Sequence, residues 1–412
     1  MVTGSGGCSL PTSDDTRTRE PATAAVASRL GYRPELDGVR GVAILLVMLV
    51  HVHHWPRGGF IGVDVFFTLS GFLITTLLLE EWQARGKISL RNFYARRALR
   101  LFPAVIVLLV AYLIFALVAG GSYLTTRLAG VGYGFTYLSN WAQAYGLAFP
   151  EQEIGFLWTL AIEEQFYLLW PGLLLLAVHF GRLSARRLIV AILCVVAAAW
   201  VWRVLLVDAG VEGPRTYFGT DTRLDQLLLG AALAAWFVRR PSSAAGSLVL
   251  RLAGWAGVIF LTWRLFDSVY FRWWYPTIGL AAIGLASTAI IACVVTDSSS
   301  ALKWTLSMRW LRWVGALSYS LYLWHVPAIR LVDGSPLGQF TVLRILGGIS
   351  LSFVLAAASY RYVEQPFLRR RKKHELLSAT KADAEADAGV LQAPRRPAVP
   401  WGRAALEKAS EP

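Results

Sequence analysis

Residues 36–54 read LDGVRGVAILLVMLVHVHH. The run is close to the roughly 20 residues a helix needs to cross the bilayer core, yet it carries Asp37 and Arg40 near one end and His51 near the other. Ionisable side chains inside a membrane-length stretch are costly, and are read as functional by default. At 1.5 Å per residue, the step from Arg40 to His51 covers roughly 16 Å of helix. A fixed cation therefore sits at one end and a titratable imidazole at the other. That spacing suggests an enzyme that draws something charged from one side and does its chemistry nearer the other.

Working outward, the whole chain has the same character. Of its 412 residues 56% are hydrophobic and only 16% charged, and the mean hydropathy is +0.50, far from the balance of a soluble domain. Apolar runs recur near 36–54, 60–80, 98–120, 156–179, 188–207, 223–238, 249–266, 274–296, 313–330 and 340–362. The expected fold is an all-α, polytopic transmembrane bundle of about ten helices. A membrane β-barrel is excluded because the runs are continuous rather than alternating. The net charge of +14 could suggest a nucleic-acid partner, but the basic residues fall in short loops and tails, which is the pattern of membrane topology. No nucleic acid is expected. Cys8, Cys194 and Cys293 are scattered, so neither a disulfide framework nor a cysteine metal site is implied.

Lys and Arg also orient the chain. With both termini cytoplasmic, the inner loops hold Arg85 to Arg100, Arg182 to Arg187, Arg239 and Arg240, and Lys303 to Arg312, whereas the outer loops hold little beyond single cations. Every loop then agrees with its side. Residues 1–31 read as a disordered cytoplasmic tail without the apolar core of a signal peptide. Residues 32–368 form the membrane domain, and 369–412 a basic, then disordered, tail. The cluster Arg369 to Lys373 suits contact with anionic membrane lipids.

Depth follows from this topology. Arg40, Arg96, Arg97 and Arg100 gather at the inner rim. His51, Asp64, Glu163, Glu164, Arg223, Asp225 and His325 gather in the outer half. His53 and His54 read as interfacial residues at a helix end. His51 and His54 share a helix face, but no third ligand is evident for a metal, and no metal is expected. A transporter or flippase would explain intramembrane charge equally well. It would not explain the Arg40/His51 spacing combined with an inner arginine pair, and the inverted repeat of broken helices common in transporters is not seen.

Several stretches resemble the acyltransferase-3 family of integral-membrane O-acyltransferases: LDGVRG at 36–41 with His51, GFIGVDVFFTLSGF at 59–72, FYARRALR at 93–100, LWTLAIEEQFY at 157–167, Arg223-Leu224-Asp225 with Gly230, SYSLYLWHVP at 318–327 and YVEQP at 362–366. The resemblance implies a ten-helix bundle passing an acyl group, usually acetyl from acetyl-CoA on the cytoplasmic side, to a hydroxyl on the other face. It implies His51 as the catalytic residue, with Arg40 eleven positions before it, and Arg97 and Arg100 as handlers of the donor. The chain departs from the pattern in its His51/His53/His54 cluster and in Ala161-Ile162 before the glutamates. An extracytoplasmic hydrolase-like domain, found in some relatives, is not expected here.

The chemistry suits these residues. Arginine forks match the phosphates of acyl-CoA, whose long arm would bring the thioester toward His51. Burial favours a neutral imidazole, able to take the acceptor hydroxyl's proton as general base. Asp64 is expected to orient that imidazole, by analogy with a triad. Glu163, Glu164, Arg223, Asp225 and His325 are expected to face an acceptor, which would be a carbohydrate, a glycolipid or a glycosylated small molecule. The setting expected is a bacterial inner membrane.

Overall fold

The computed structural model describes residues 31–181, 183–211, 213–239, 248–267, 275–296 and 301–369. The expected tails at 1–31 and 369–412 lie almost wholly outside the described residues. Ten long helices account for most of the rest: α1 (Pro34–His53), α2 (Ile61–Arg85), α3 (Leu90–Ala119), α4 (Leu157–Leu175), α5 (Ala185–Asp208), α6 (Thr220–Arg239), α7 (Leu248–Asp267), α8 (Leu280–Thr296), α9 (Ser318–Asp333) and α10 (Thr341–Ser359). Each falls on one of the ten apolar runs. The chain is an all-α integral membrane protein.

Local chemistry sets the helix ends. Pro34 opens α1, with Glu35 and Asp37 in its first turn, where a fixed φ and negative charge both favour a helix start. Gly86 closes α2 at φ 65°, a left-handed position that glycine takes without strain. Ser89 caps α3 by accepting from the Asn92 N–H at 3.4 Å. This cap starts α3 at Leu90 rather than near residue 98. Arg96 and Arg97 therefore ride on the same helix as Arg100, with their directions fixed, instead of preceding it. Similarly α9 begins at Ser318 and not at 313, because Arg309–Ala316 forms a separate short helix. That helix buries Leu311 and Val314 and exposes Trp310 and Trp313, the two-sided pattern of an interfacial segment.

Among the described residues, eight helical stretches are long and apolar enough to span a membrane by length and composition; α6 and α9 are not among them. They are nonetheless among the most enclosed: Arg223, Asp225, Gln226, Ser320 and His325 on them are each 0% exposed. Protein surrounds these two helices, so they can carry the polar groups that lipid would reject. Small residues allow the close approach. A Cβ added to Gly71 of α2 would lie 1.9 Å from the Leu227 carbonyl oxygen of α6, and one on Gly230 would lie 2.0 Å from that of Thr68. Gly71→Val should force these backbones apart and cost on the order of 1–3 kcal/mol. The thermal unfolding midpoint in detergent checks this, and an unchanged value would refute the backbone contact.

The segment 121–155, expected as an outer loop, is partly helical: Leu124–Phe135, Ser139–Ala144 and Glu151–Ile154. Its turn at Tyr137, in the left-handed region at φ 54°, is inserted beside α4. Gln165 Nε2, two turns into α4, donates to the Tyr137 carbonyl at 2.8 Å and to Asn140 Oδ1 at 2.9 Å. Asn140 Nδ2 in turn donates to the Phe218 carbonyl at 3.1 Å. Non-helical backbone at membrane depth must find its partners within the protein, and Gln165 and Asn140 provide them. The hairpin thus packs against α4 two turns inside its start. At its outer end Arg127 and Tyr112 both hydrogen-bond Glu153, tying the segment to α3.

Candidate active site

Five helices converge on one cavity. Arg40 comes from α1, Ser70 from α2, Arg97 and Arg100 from α3, Thr159, Glu163, Glu164 and Tyr167 from α4, and Ser318, Tyr319 and Tyr322 from α9. Three guanidinium groups and two carboxylates thus face a single space. The Arg97 guanidinium lies 4.3 Å above the Tyr167 ring, a cation–π contact that fixes its plane. Ser70 Oγ donates to Glu163 Oε1 at 2.7 Å. On the far side of α9, Glu364 from the YVEQP stretch is buried and accepts from Ser320. Arg96 stands apart from the cavity, 3.6 Å from Glu81.

The two glutamates lie elsewhere than expected. Glu163 and Glu164 face the arginines rather than the outer half. Phe156, just before α4, packs on His325 with ring centroids 5.4 Å apart. From there about two helical turns, roughly 10 Å, carry the carboxylates toward the arginine end.

At the other end two imidazoles meet. His51 Nδ1 lies 2.7 Å from the Val47 carbonyl oxygen, and His325 Nδ1 lies 2.7 Å from that of Tyr322. A carbonyl can only accept, so both rings carry their proton on Nδ1 when neutral, and Nε2 keeps its lone pair. The ring centroids are 4.9 Å apart and nearly perpendicular. Phe60 closes another edge of His51 at 5.3 Å. His53 and His54 are exposed and lie outside this arrangement. Tyr322 links the two ends. It lines the cavity, its ring lies 5.5 Å from that of His325, and its hydroxyl accepts from Thr159 at 2.5 Å and donates to the Phe156 carbonyl at 2.6 Å.

Asp64 does not orient His51. Its Oδ1 accepts from Arg223 Nη2 at 2.6 Å and from Gln226 Nε2 at 2.7 Å. The close α2–α6 packing turns this carboxylate toward α6, and the Val47 carbonyl takes the orienting role instead. Arg223 is enclosed by the rings of Phe67, Trp158 and Tyr217 at 5.0–5.6 Å. Asp225 is likewise engaged, by Arg203 at 2.9 Å and by Trp200 Nε1 at 2.7 Å. Arg223 and Asp225, both expected on the acceptor side, hold helices together. Sequence reasoning passed over Arg203, although an arginine within an apolar run was the available signal. It also passed over Ser70, Thr159, Tyr167 and Tyr322, uncharged residues whose part shows only in three dimensions.

A polytopic helical bundle with a half-buried, arginine-lined cavity and, beyond it, an imidazole pair defines a membrane protein with polar side chains gathered among its helices. The family described as an acyltransferase domain matches residues 33–361, and the chain belongs to that family. It is 35% identical over 353 residues to the peptidoglycan O-acetyltransferase OatA of Listeria monocytogenes, covering 81% of this chain and 56% of that protein. It is also 35% identical over 355 residues to the putative peptidoglycan O-acetyltransferase YrhL of Bacillus subtilis, at 81% and 55% coverage. Against the O-acetyltransferase OatA of Staphylococcus aureus the figures are 35% over 350 residues, 82% and 58%. The chain therefore spans a little over half the length of these curated relatives. No solved structure matches.

Proposed function

We propose that the protein transfers an acyl group, acetyl in the first instance, from acyl-CoA to a hydroxyl of a cell-envelope carbohydrate in the bacterial plasma membrane. Peptidoglycan, named for the relatives, is the first acceptor to test. The observation that supports this best is the Arg40/Arg97/Arg100 cavity linked to His51 through the rings of Tyr322 and His325. Three arginines suit a polyanionic nucleotide, since guanidinium forks pair with phosphate oxygens through charge-assisted hydrogen bonds. Glu163 and Glu164 offset that charge while the donor is away. The positive-inside distribution of Lys and Arg supports a cytoplasmic setting for the arginine end, where acyl-CoA is found.

The transfer is then a single exchange. The acceptor hydroxyl gives its proton to His51 Nε2 while its oxygen attacks the thioester carbonyl carbon. The O–C bond forms, the C–S bond breaks, and the thiolate takes up the proton to leave as free thiol. The Val47 carbonyl keeps the reactive nitrogen as Nε2. Arg97→Ala/Arg100→Ala should weaken acetyl-CoA binding by roughly tenfold or more, since a hydrogen bond to a charged group contributes about 1.5–3 kcal/mol. Titration of labelled acetyl-CoA into protein in vesicles measures it. If the wild type binds no acyl-CoA, the donor reading fails.

A further inference from the structure

The two histidines make a pair that the exchange above uses only in part. His325 is 0% exposed, and its Nε2 has no hydrogen-bond partner among the described residues. A buried acceptor left without a donor costs about 1–3 kcal/mol, so its retention beside the reactive ring calls for a physical reason. When His51 takes a proton, it gains a second N–H donor, and its Nδ1–H is already given to Val47. The new donor and the orphaned lone pair belong to adjacent rings, 4.9 Å apart.

We propose that His325 is the positioning partner of the base: it accepts from His51 once His51 is protonated and holds the transferred proton across the imidazole pair until the leaving thiolate takes it. Resting on the reading of His51 as general base, this makes His325 a relay for the proton on Nε2, while the Val47 carbonyl keeps the Nδ1 side that a carboxylate holds in a triad. The proton balance is complete, because the proton leaves the acceptor oxygen, resides on the pair, and ends on the thiol sulfur. A neutral partner fits this setting. A carboxylate would add a charge to be desolvated at every stage, whereas two neutral imidazoles carry one charge only while the proton is in transit. Tyr322 holds the arrangement, since its carbonyl fixes His325 Nδ1 and its hydroxyl is anchored to Thr159 and Phe156. The other ionisable groups near enough to act on His51 are His54, the exposed residue capping α1, and Arg330 of α9; Arg330 is engaged by Gln152 at 2.8 Å.

The test compares His325→Gln and His325→Asn with wild type in acetyl transfer from acetyl-CoA to a peptidoglycan fragment. Both variants keep a polar side chain but cannot take up a proton. The expected result is a kcat lower by roughly 10–100-fold, acetyl-CoA affinity within about twofold, and a displaced acid limb of the kcat–pH profile. His51→Ala/His325→Gln should be no slower than His51→Ala alone, as coupled residues are non-additive. Three results would overturn the proposal: wild-type kcat and pH profile in both variants, loss of donor binding in both, or full additivity in the double variant. Turnover that survives in His51→Ala would instead overturn the general-base reading, so the two failures are told apart.

Discussion

His51→Ala is expected to lower acyl transfer by about 10²–10⁴, the range for losing a positioned general base, while acetyl-CoA still binds. The two effects separate because the residues are separate: the arginines line the cavity, whereas His51 lies beyond Tyr322 and His325. Removing the imidazole leaves the phosphate-binding side chains in place and takes away only the group that accepts the proton. The check is a pair of measurements on one preparation, turnover with labelled acetyl-CoA plus an acceptor, and equilibrium donor binding. Turnover within a few-fold of wild type would remove His51 from the chemistry. A parallel loss of binding would mean that the donor reaches the imidazole for affinity as well as reaction.

Asp64→Ala should be the most damaging change to the fold, at about 3–5 kcal/mol, because truncating one partner of a buried pair leaves the other charge uncompensated. Arg223 is 0% exposed, enclosed by three aromatic rings, and its closest counter-charge is Asp64 at 2.6 Å. Replacing both partners together, as Asp64→Leu/Arg223→Met, should recover much of the loss, since two apolar groups of similar volume remove both desolvation costs. Folded yield and unfolding midpoint in detergent read the difference. Asp64→Asn separates the structural role from a catalytic one. If this carboxylate oriented His51 as in a triad, the asparagine would cut kcat by about 10⁴ with the fold intact. The Arg223 pairing instead predicts lowered stability and a kcat within a few-fold for the protein that folds.

The position of each polar residue along its helix was legible, and the direction its side chain faces was not. Counting residues along alternating helices places His51, His325 and Asp64 toward one end and Arg40, Arg97 and Arg100 toward the other. Rotation of each helix about its axis then decides who meets whom. Gly71 and Gly230 bring α2 and α6 into backbone contact, which sends Asp64 to Arg223 and away from His51. Two residues of similar depth can thus face different neighbours. The hairpin packed against α4 was hidden for another reason: Leu124–Phe135 is far shorter than a span, and its turn is stabilised by Gln165, which is distant in sequence.

By itself, the sequence determined that this protein is a helical membrane bundle and where its ten long helices lie. Those properties follow from apolar run length and from the cost of charge in lipid, which act along the chain. Only the tertiary structure decided that Glu163 and Glu164 join the arginines, that Asp64, Arg223, Asp225 and Arg203 fasten helices together, and that His325 rather than a carboxylate stands beside His51. Such pairings depend on helix rotation and on which backbones can touch. Side chains far apart in sequence decide both, through the small residues and buried polar contacts that let one helix approach another.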